Sequence, residues 1–310
     1  MNAIVIDRLT KTYLPKWPWE KPVTVLSDIS LSVGRGEIFG FLGHNGAGKT
    51  TTMKVLLGLL RATSGHVELL GSSVEHVATR VRIGYLPESP YFYDYLTADE
   101  FLCFYGKLAG LDRETVQKRI PQLLEQVSLT EARHRQLRKF SKGMLQRIGL
   151  AQALIHDPEL VILDEPMSGL DPIGRKEVRD LILSLRDQGK TVFFSTHIIS
   201  DVEMICDRVG IVSKGRIRSV GRIEDLVNGH VAQTVEVVCD GVIGENLPDV
   251  KSLATRILQR GDRCLMMLPG QEHLERVLAV LRTAGGRLVS VIPHKESLED
   301  IFLEQTSGKI

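Results

Sequence analysis

Residues Gly43–Thr52 read GHNGAGKTTT, and they constrain this chain more than any other stretch because they demand a strand, a tight turn and a helix in that order. Glu37–Leu42 before them reads as a short buried strand, and the apolar run Met53–Leu60 after them has helical character. The form G-x-x-x-x-G-K-[ST] in that setting is a phosphate loop. Gly43, Gly46 and Gly48 allow the backbone to turn so that successive N–H groups share one concavity. The segment from Gly43 through His44, Asn45, Gly46, Ala47 and Gly48 to Lys49, Thr50 and Thr51 then meets phosphate oxygens at a helix N-terminus. Lys49 would reach the β- and γ-phosphates as a point charge, and the Thr50 hydroxyl would ligate Mg2+.

Downstream, Leu160–Leu163 is apolar at every position and ends in Asp164-Glu165-Pro166. Such a strand is buried on both faces, as in the middle of a parallel sheet, where function collects at the carboxyl ends. Asp164 is placed to hold Mg2+, largely through water, and Glu165 to orient and deprotonate an attacking water. Adjacent acids after a strand also occur as a plain solvated turn; a phosphate loop in the same chain favours catalysis. Phe193-Phe194-Ser195-Thr196-His197 is another strand ending in a histidine. In FSKGMLQR, Ser141 is a suitable N-cap for a helix patterned through Ile148, Leu150 and Leu154, which should stop at Asp157-Pro158.

With these pieces in this order the chain resembles the nucleotide-binding subunits of ABC (ATP-binding cassette) transporters. The resemblance covers Met1 to about Asn228 and includes six motifs in the family's order. It implies an α/β P-loop NTPase with a helical subdomain, ATP and Mg2+ as cofactors, and ATP hydrolysis. FSKGMLQR is similar to the family's LSGGQ signature: Ser141 and Gly143 keep their places, whereas Phe140, Lys142 and Met144 depart from the common form. In the family that helix end faces the γ-phosphate bound by the partner subunit. Asp171, in Ser168-Gly169-Leu170-Asp171, resembles the loop residue that positions the two halves of the dimer, and His197 the histidine that hydrogen-bonds the γ-phosphate. Tyr13 resembles the aromatic that stacks on adenine, although Trp17 or Trp19, in the proline-rich run Pro15–Pro22, offers a flat face as well.

Gly84-Tyr85-Leu86-Pro87-Glu88 stands where most members of the family carry glutamine. Glu88 there can still ligate Mg2+ and brings a full negative charge. With Ser-Lys-Gly-Met it resembles the two-component, type-two export branch, whose membrane subunit is a separate polypeptide. The expected partners are such a permease and, on ATP binding, a second copy of the chain. The expected place is the cytoplasm, peripheral on the inner face of the cell membrane.

Composition agrees. A formal charge of +1 gives no electrostatic case for nucleic acid. Cys103, Cys206, Cys239 and Cys264 form no paired spacing and read as free thiols of a reducing compartment. No signal peptide is recognisable, and no apolar stretch approaches the ~20 residues a membrane span requires. Chromosome-organising ATPases of related pattern carry long heptad insertions, absent from the roughly 90 residues between phosphate loop and signature. A translation factor of the family would carry two cassettes, and a simple P-loop kinase would lack the signature and the histidine.

Tyr91–Tyr105 holds seven of the fifteen Phe and Tyr residues. Thr97-x-x-Glu100 is a capping box that starts a helix at Ala98, ending near Gly110, with Phe101, Phe104 and Tyr105 on one inward face. Tyr91, Phe92, Tyr93 and Tyr95 precede it in a loop suited to a partner's helix. After the cassette, residues 1–228, comes a smaller domain, residues 229–310. Its pattern is a strand at Thr234–Cys239, a hairpin of Leu253–Gln259 with Arg263–Leu268, a helix at Gln271–Ala284, a strand at Leu288–Ile292 and a last helix at Ser297–Glu304. That order suits a small ferredoxin-like α+β domain, with Gly241–Val250 a weak first helix. It resembles the accessory C-terminal domain of the same export branch.

Overall fold

The computed structural model describes every residue except 16, 18, 20, 230–233, 244–247, 295–296 and 308–310. The chain forms two compact units, Met1–Ile223 and Glu224–Ile310. Among the described residues no helix is long and apolar enough to cross a membrane.

In the first unit β1 (Asn2–Tyr13) and β2 (Val23–Gly34) pair antiparallel, and β3 (Ile38–Leu42) runs through the phosphate loop into α1 (Lys49–Leu56). Next come β4 (Ser64–Leu69), the two-residue β5 (Ser72–Ser73), the one-turn α2 (Val77–Arg80) and β6 (Ile83–Leu86). Helices α3 (Ala98–Leu108), α4 (Arg113–Gln126) and α5 (Lys142–Leu154) follow as a block. Strands and helices then alternate: β7 (Leu160–Asp164), α6 (Pro172–Asp187), β8 (Thr191–Thr196), α7 (Ile199–Ile205) and β9 (Arg208–Ser213), closed by β10 (Arg216–Gly221).

The smaller sheet has the order β2-β1-β4-β5 and the larger β10-β9-β3-β8-β7-β6. All pairs of the larger sheet are parallel except β10 with β9. Its central strands β3, β7 and β8 are buried at every residue, which is what apolar side chains on both faces require. Successive residues serve opposite faces. Phe193 and Ile162 pack with Phe39, Phe41 and residues of the smaller sheet, while Phe194 and Leu163 pack beneath the helices with Phe101, Leu124 and Ile148. Register brings the strand ends level: Leu42 lies opposite Thr196, Asp164 opposite Ser195, and Leu86 opposite Leu163. Gly43, Glu165, His197 and Pro87 therefore leave the sheet along one edge.

In the helical block the Thr97–Glu100 capping box forms in both directions, and α3 starts at Ala98. The single inward face expected for Phe101, Phe104 and Tyr105 is corrected. Phe101 is buried and Tyr105 half-buried, but Phe104 is 42% exposed. At about 100° per residue Phe104 and Tyr105 fall on opposite flanks of Phe101, and only one flank meets the core.

The second unit opens on α8 (Ile223–Gly229), which begins at the last residue of the first unit, and Asn228-Gly229 falls within that helix. It continues with β11 (Thr234–Asp240), α9 (Pro248–Leu253), β12 (Arg256–Arg260), β13 (Arg263–Leu268), α10 (Leu274–Thr283), β14 (Arg287–His294) and α11 (Leu298–Ser307). The antiparallel order β12-β13-β11-β14 on a βαββαβ chain is the ferredoxin-like arrangement. Val235, Val237, Cys239, Met266 and Leu268 form its core with Val277 and Leu281 of α10. A strand starting at Leu253 is corrected: that residue ends α9, and β12 begins at Arg256. Pro248 and Asp249 in the first turn are the helix-start signals that decide it.

Candidate functional site

The phosphate loop is pinned by its neighbours. Gly43 N–H donates to Thr196 O at 3.1 Å, Ala47 N–H to His44 O at 3.1 Å, and Gly215 N–H to Ala47 O at 3.0 Å. A Cβ on Gly43 would stand 2.6 Å from Val212 O, so β9 packs against bare backbone there. Gly48 has φ 107°, and a Cβ on it would meet Leu26 at 2.6 Å. α1 carries no acidic residue in its first turn, which leaves the positive end of its dipole for a ligand. Before it opens a cavity of about 370 Å3, lined by His44, Asn45, Lys49, Thr50, Glu88 and Glu165, with Gly46, Gly48, Thr51 and Val25.

Lys49 is 6% exposed. Its Nζ donates to Gly43 O at 2.6 Å and lies 3.1 Å from Glu165 Oε1. The other carboxylate oxygen, Oε2, lies 2.9 Å from His197 Nδ1. Glu165 is thus buried between a cation and a half-exposed histidine. Its φ is 51°, a left-handed conformation uncommon outside glycine. Ser195 holds that turn: Glu165 N–H donates to Ser195 Oγ at 3.0 Å, and Ser195 Oγ donates to Asp164 Oδ1 at 2.6 Å.

Asp164 is fully buried, and its Oδ2 has no hydrogen-bonding partner among the described residues. A buried carboxylate oxygen left unpaired is costly, and a cation or its water would satisfy it. The donors here are a hydroxyl, Thr50, and two carboxylates, Asp164 and Glu88, the hard oxygen set that suits Mg2+. Among the described residues no three His, Cys, Asp or Glu gather as a metal cage. Burial first, then the charges of Asp164 and Glu88, push the Tyr85 phenol up to about 12, so it stays neutral beside them.

Other expected site residues lie elsewhere. Ser141 caps α5, accepting from Met144 N–H at 3.3 Å, and Gly143 follows within the first turn. Asp171 caps α6, accepting from Gly174 N–H at 2.9 Å. None of these three lines the cavity, and neither do Tyr13, Gly43, Ala47, Asp164 and His197. Tyr13 ends β1 with the Lys11 ammonium 5.1 Å from its ring centroid, while Trp17 and Trp19 stack on each other at 5.3 Å. Two residues went unassigned in the sequence. Ser195 carried a signal, a hydroxyl at the carboxyl end of an apolar strand. Buried Gln146, whose Nε2 donates to Pro166 O at 3.0 Å and ties α5 to the turn after Glu165, carried none.

Residues 26–168 match the sequence pattern of the ABC transporter family. Over 306 residues the chain is 44% identical to the uncharacterized ABC transporter ATP-binding protein sll0415 of Synechocystis sp., covering 98% of this chain and 84% of that protein. It is 46% identical over 192 residues to the bacitracin transport ATP-binding protein BcrA of Bacillus licheniformis, covering 61% of this chain and 62% of that protein. A solved ATP-binding subunit of an ABC transporter is 30% identical with a TM-score of 0.64, covering 73% of this chain and 92% of that one. A dimer of the ATP-binding cassette MJ0796 with ADP and Pi is 23% identical with a TM-score of 0.65, covering 71% of this chain and 98% of that one, a likeness of fold alone.

Proposed function

Because this chain belongs to the family of ABC transporter ATP-binding subunits, we propose that it is the motor of an exporter, hydrolysing ATP between two copies of itself and driving a separate permease. The observation that carries this is the buried Glu165 carboxylate, with Lys49 on one oxygen and His197 on the other at the mouth of the phosphate loop. Lys49 and the amides of residues 43–51 take the phosphates, and Lys49 then exchanges Glu165 for phosphate oxygen. That releases Glu165 Oε1 to orient and deprotonate the attacking water, with His197 hydrogen-bonding the γ-phosphate. Thr50, Glu88 and Asp164 would hold Mg2+, which when bound supplies neutralising charge at the phosphate oxygens.

Ser141, Gly143 and Asp171 sit at helix N-termini and do not line their own chain's cavity. This supports their serving the nucleotide of a second copy, with ATP closing the pair and hydrolysis reopening it. Adenine stacks on Tyr13 or on one of the two tryptophans. Of the expected docking loop, Phe92 packs instead on the core, 5.5 Å from the Phe101 ring, so Tyr91, Tyr93 and Tyr95, joined by the exposed Phe104, offer the aromatic surface for a cytoplasmic helix of the permease. The export direction draws on the resemblance of Glu88 and Ser-Lys-Gly-Met to the type-two export branch. Residues 1–228 act as the cassette, and residues 229–310 as the accessory domain of the type-two branch.

The test is the ATPase rate of Glu165→Gln. Loss of the base should lower kcat by about a hundredfold or more while ATP still binds. A parental rate would remove Glu165 from the chemistry.

A further inference from the structure

α6 and α7 enclose a carboxylate that this hydrolysis scheme leaves unused. Asp201, four residues after His197, is 1% exposed; its Oδ1 accepts from Arg179 Nη1 at 3.2 Å, and its Oδ2 has no hydrogen-bonding partner among the described residues. Exchanging a buried ion pair for apolar side chains is often neutral or stabilising, so packing does not by itself explain a half-satisfied carboxylate here.

Its surroundings do. Arg179 of α6 pairs with it, and the charges of Arg175 on the same helix and of Glu165 in the turn after β7 also reach it. Burial pushes the Asp201 carboxyl up, the two guanidiniums pull it down, and the Glu165 charge pushes it up again. Arg175 Nε in turn donates to Leu170 O at 3.2 Å, and Asp171 beside it caps α6. α6 therefore carries one arginine, Arg179, on Asp201, four residues after His197, and another one turn earlier, Arg175, on the carbonyl of Leu170 beside Asp171.

We propose that Asp201 is a positioning residue for hydrolysis, fixing with Arg175 and Arg179 the His197 turn against the loop Leu170–Asp171, so that base, histidine and inter-copy loop are set as one unit. This rests on Glu165 acting as the base. Asp201 is buried and does not line the cavity, so its removal should disturb the geometry of the reacting atoms and leave ATP binding in place. Misplacements of that kind are costly in rate.

The experiment uses the full chain and measures kcat, KM for ATP, equilibrium binding of trinitrophenyl-ATP and melting temperature for Asp201→Asn and Arg179→Gln. Each variant should lower kcat about tenfold or more, with KM and analogue affinity within about twofold. Adding Asp201→Asn to His197→Ala should cost little beyond His197→Ala alone, because the two act as a unit. A parental kcat in either single variant would overturn the proposal. So would a loss matched by the fraction unfolded, an equal loss of nucleotide affinity, or full additivity with His197→Ala. If Asp201→Asn fails to fold, the partly exposed Arg179 supplies the same test. Glu165→Gln is run alongside: a parental rate there defeats the underlying hydrolysis scheme, whereas an inactive Glu165→Gln beside a parental Asp201→Asn defeats this proposal alone.

Discussion

At the residue scale the site depends on one strained turn. Glu165 occupies the left-handed region at φ 51° and follows a fully buried Asp164, so two costly features adjoin. The Ser195 hydroxyl answers both, accepting from Glu165 N–H and donating to Asp164 Oδ1. Ser195→Ala would leave a buried amide and a carboxylate oxygen without that partner. It should lower stability by about 1–3 kcal/mol and reduce kcat, read by thermal denaturation and ATPase assay; unchanged values for both would show that the turn holds without the hydroxyl. Lys49, Glu165 and His197 were legible as residues because each follows a recognisable strand or glycine pattern. Their meeting on one carboxylate was not legible, since it depends on the register of β3, β7 and β8.

The elements divide by how much local chemistry specifies them. β3, β7 and β8 are readable because every position is apolar, and α3 because its capping box is local to four residues. α9, six residues long, has too few turns to show a period, and Phe104 needed the side of the core to be known. The loop before α3 has the opposite character. Tyr93 meets Tyr91, Tyr95 and Phe104 edge to face, with ring centroids 6.3, 6.2 and 5.5 Å away, so the rings brace one another at the surface. Tyr93→Ala with Tyr95→Ala should abolish co-purification of the permease while ATP binding persists. Undiminished co-purification with binding intact would place the docking surface elsewhere.

For the whole molecule, the order of motifs along the chain conveys the kind of fold but not the order of strands. β3, which carries the phosphate loop, lies between β9 and β8, partners more than 150 residues away in sequence. Crossovers of that length leave no local trace. Ser141 and Asp171 cap helices and do not line the cavity that Lys49 and Glu165 line, which is the basis for proposing that a second copy completes each site. The most direct test of that composite arrangement is light scattering coupled to size-exclusion chromatography on Glu165→Gln, with and without ATP. A monomer that becomes a dimer only with ATP is the predicted result; a monomer at saturating ATP, with nucleotide binding measured on the same sample, would contradict it.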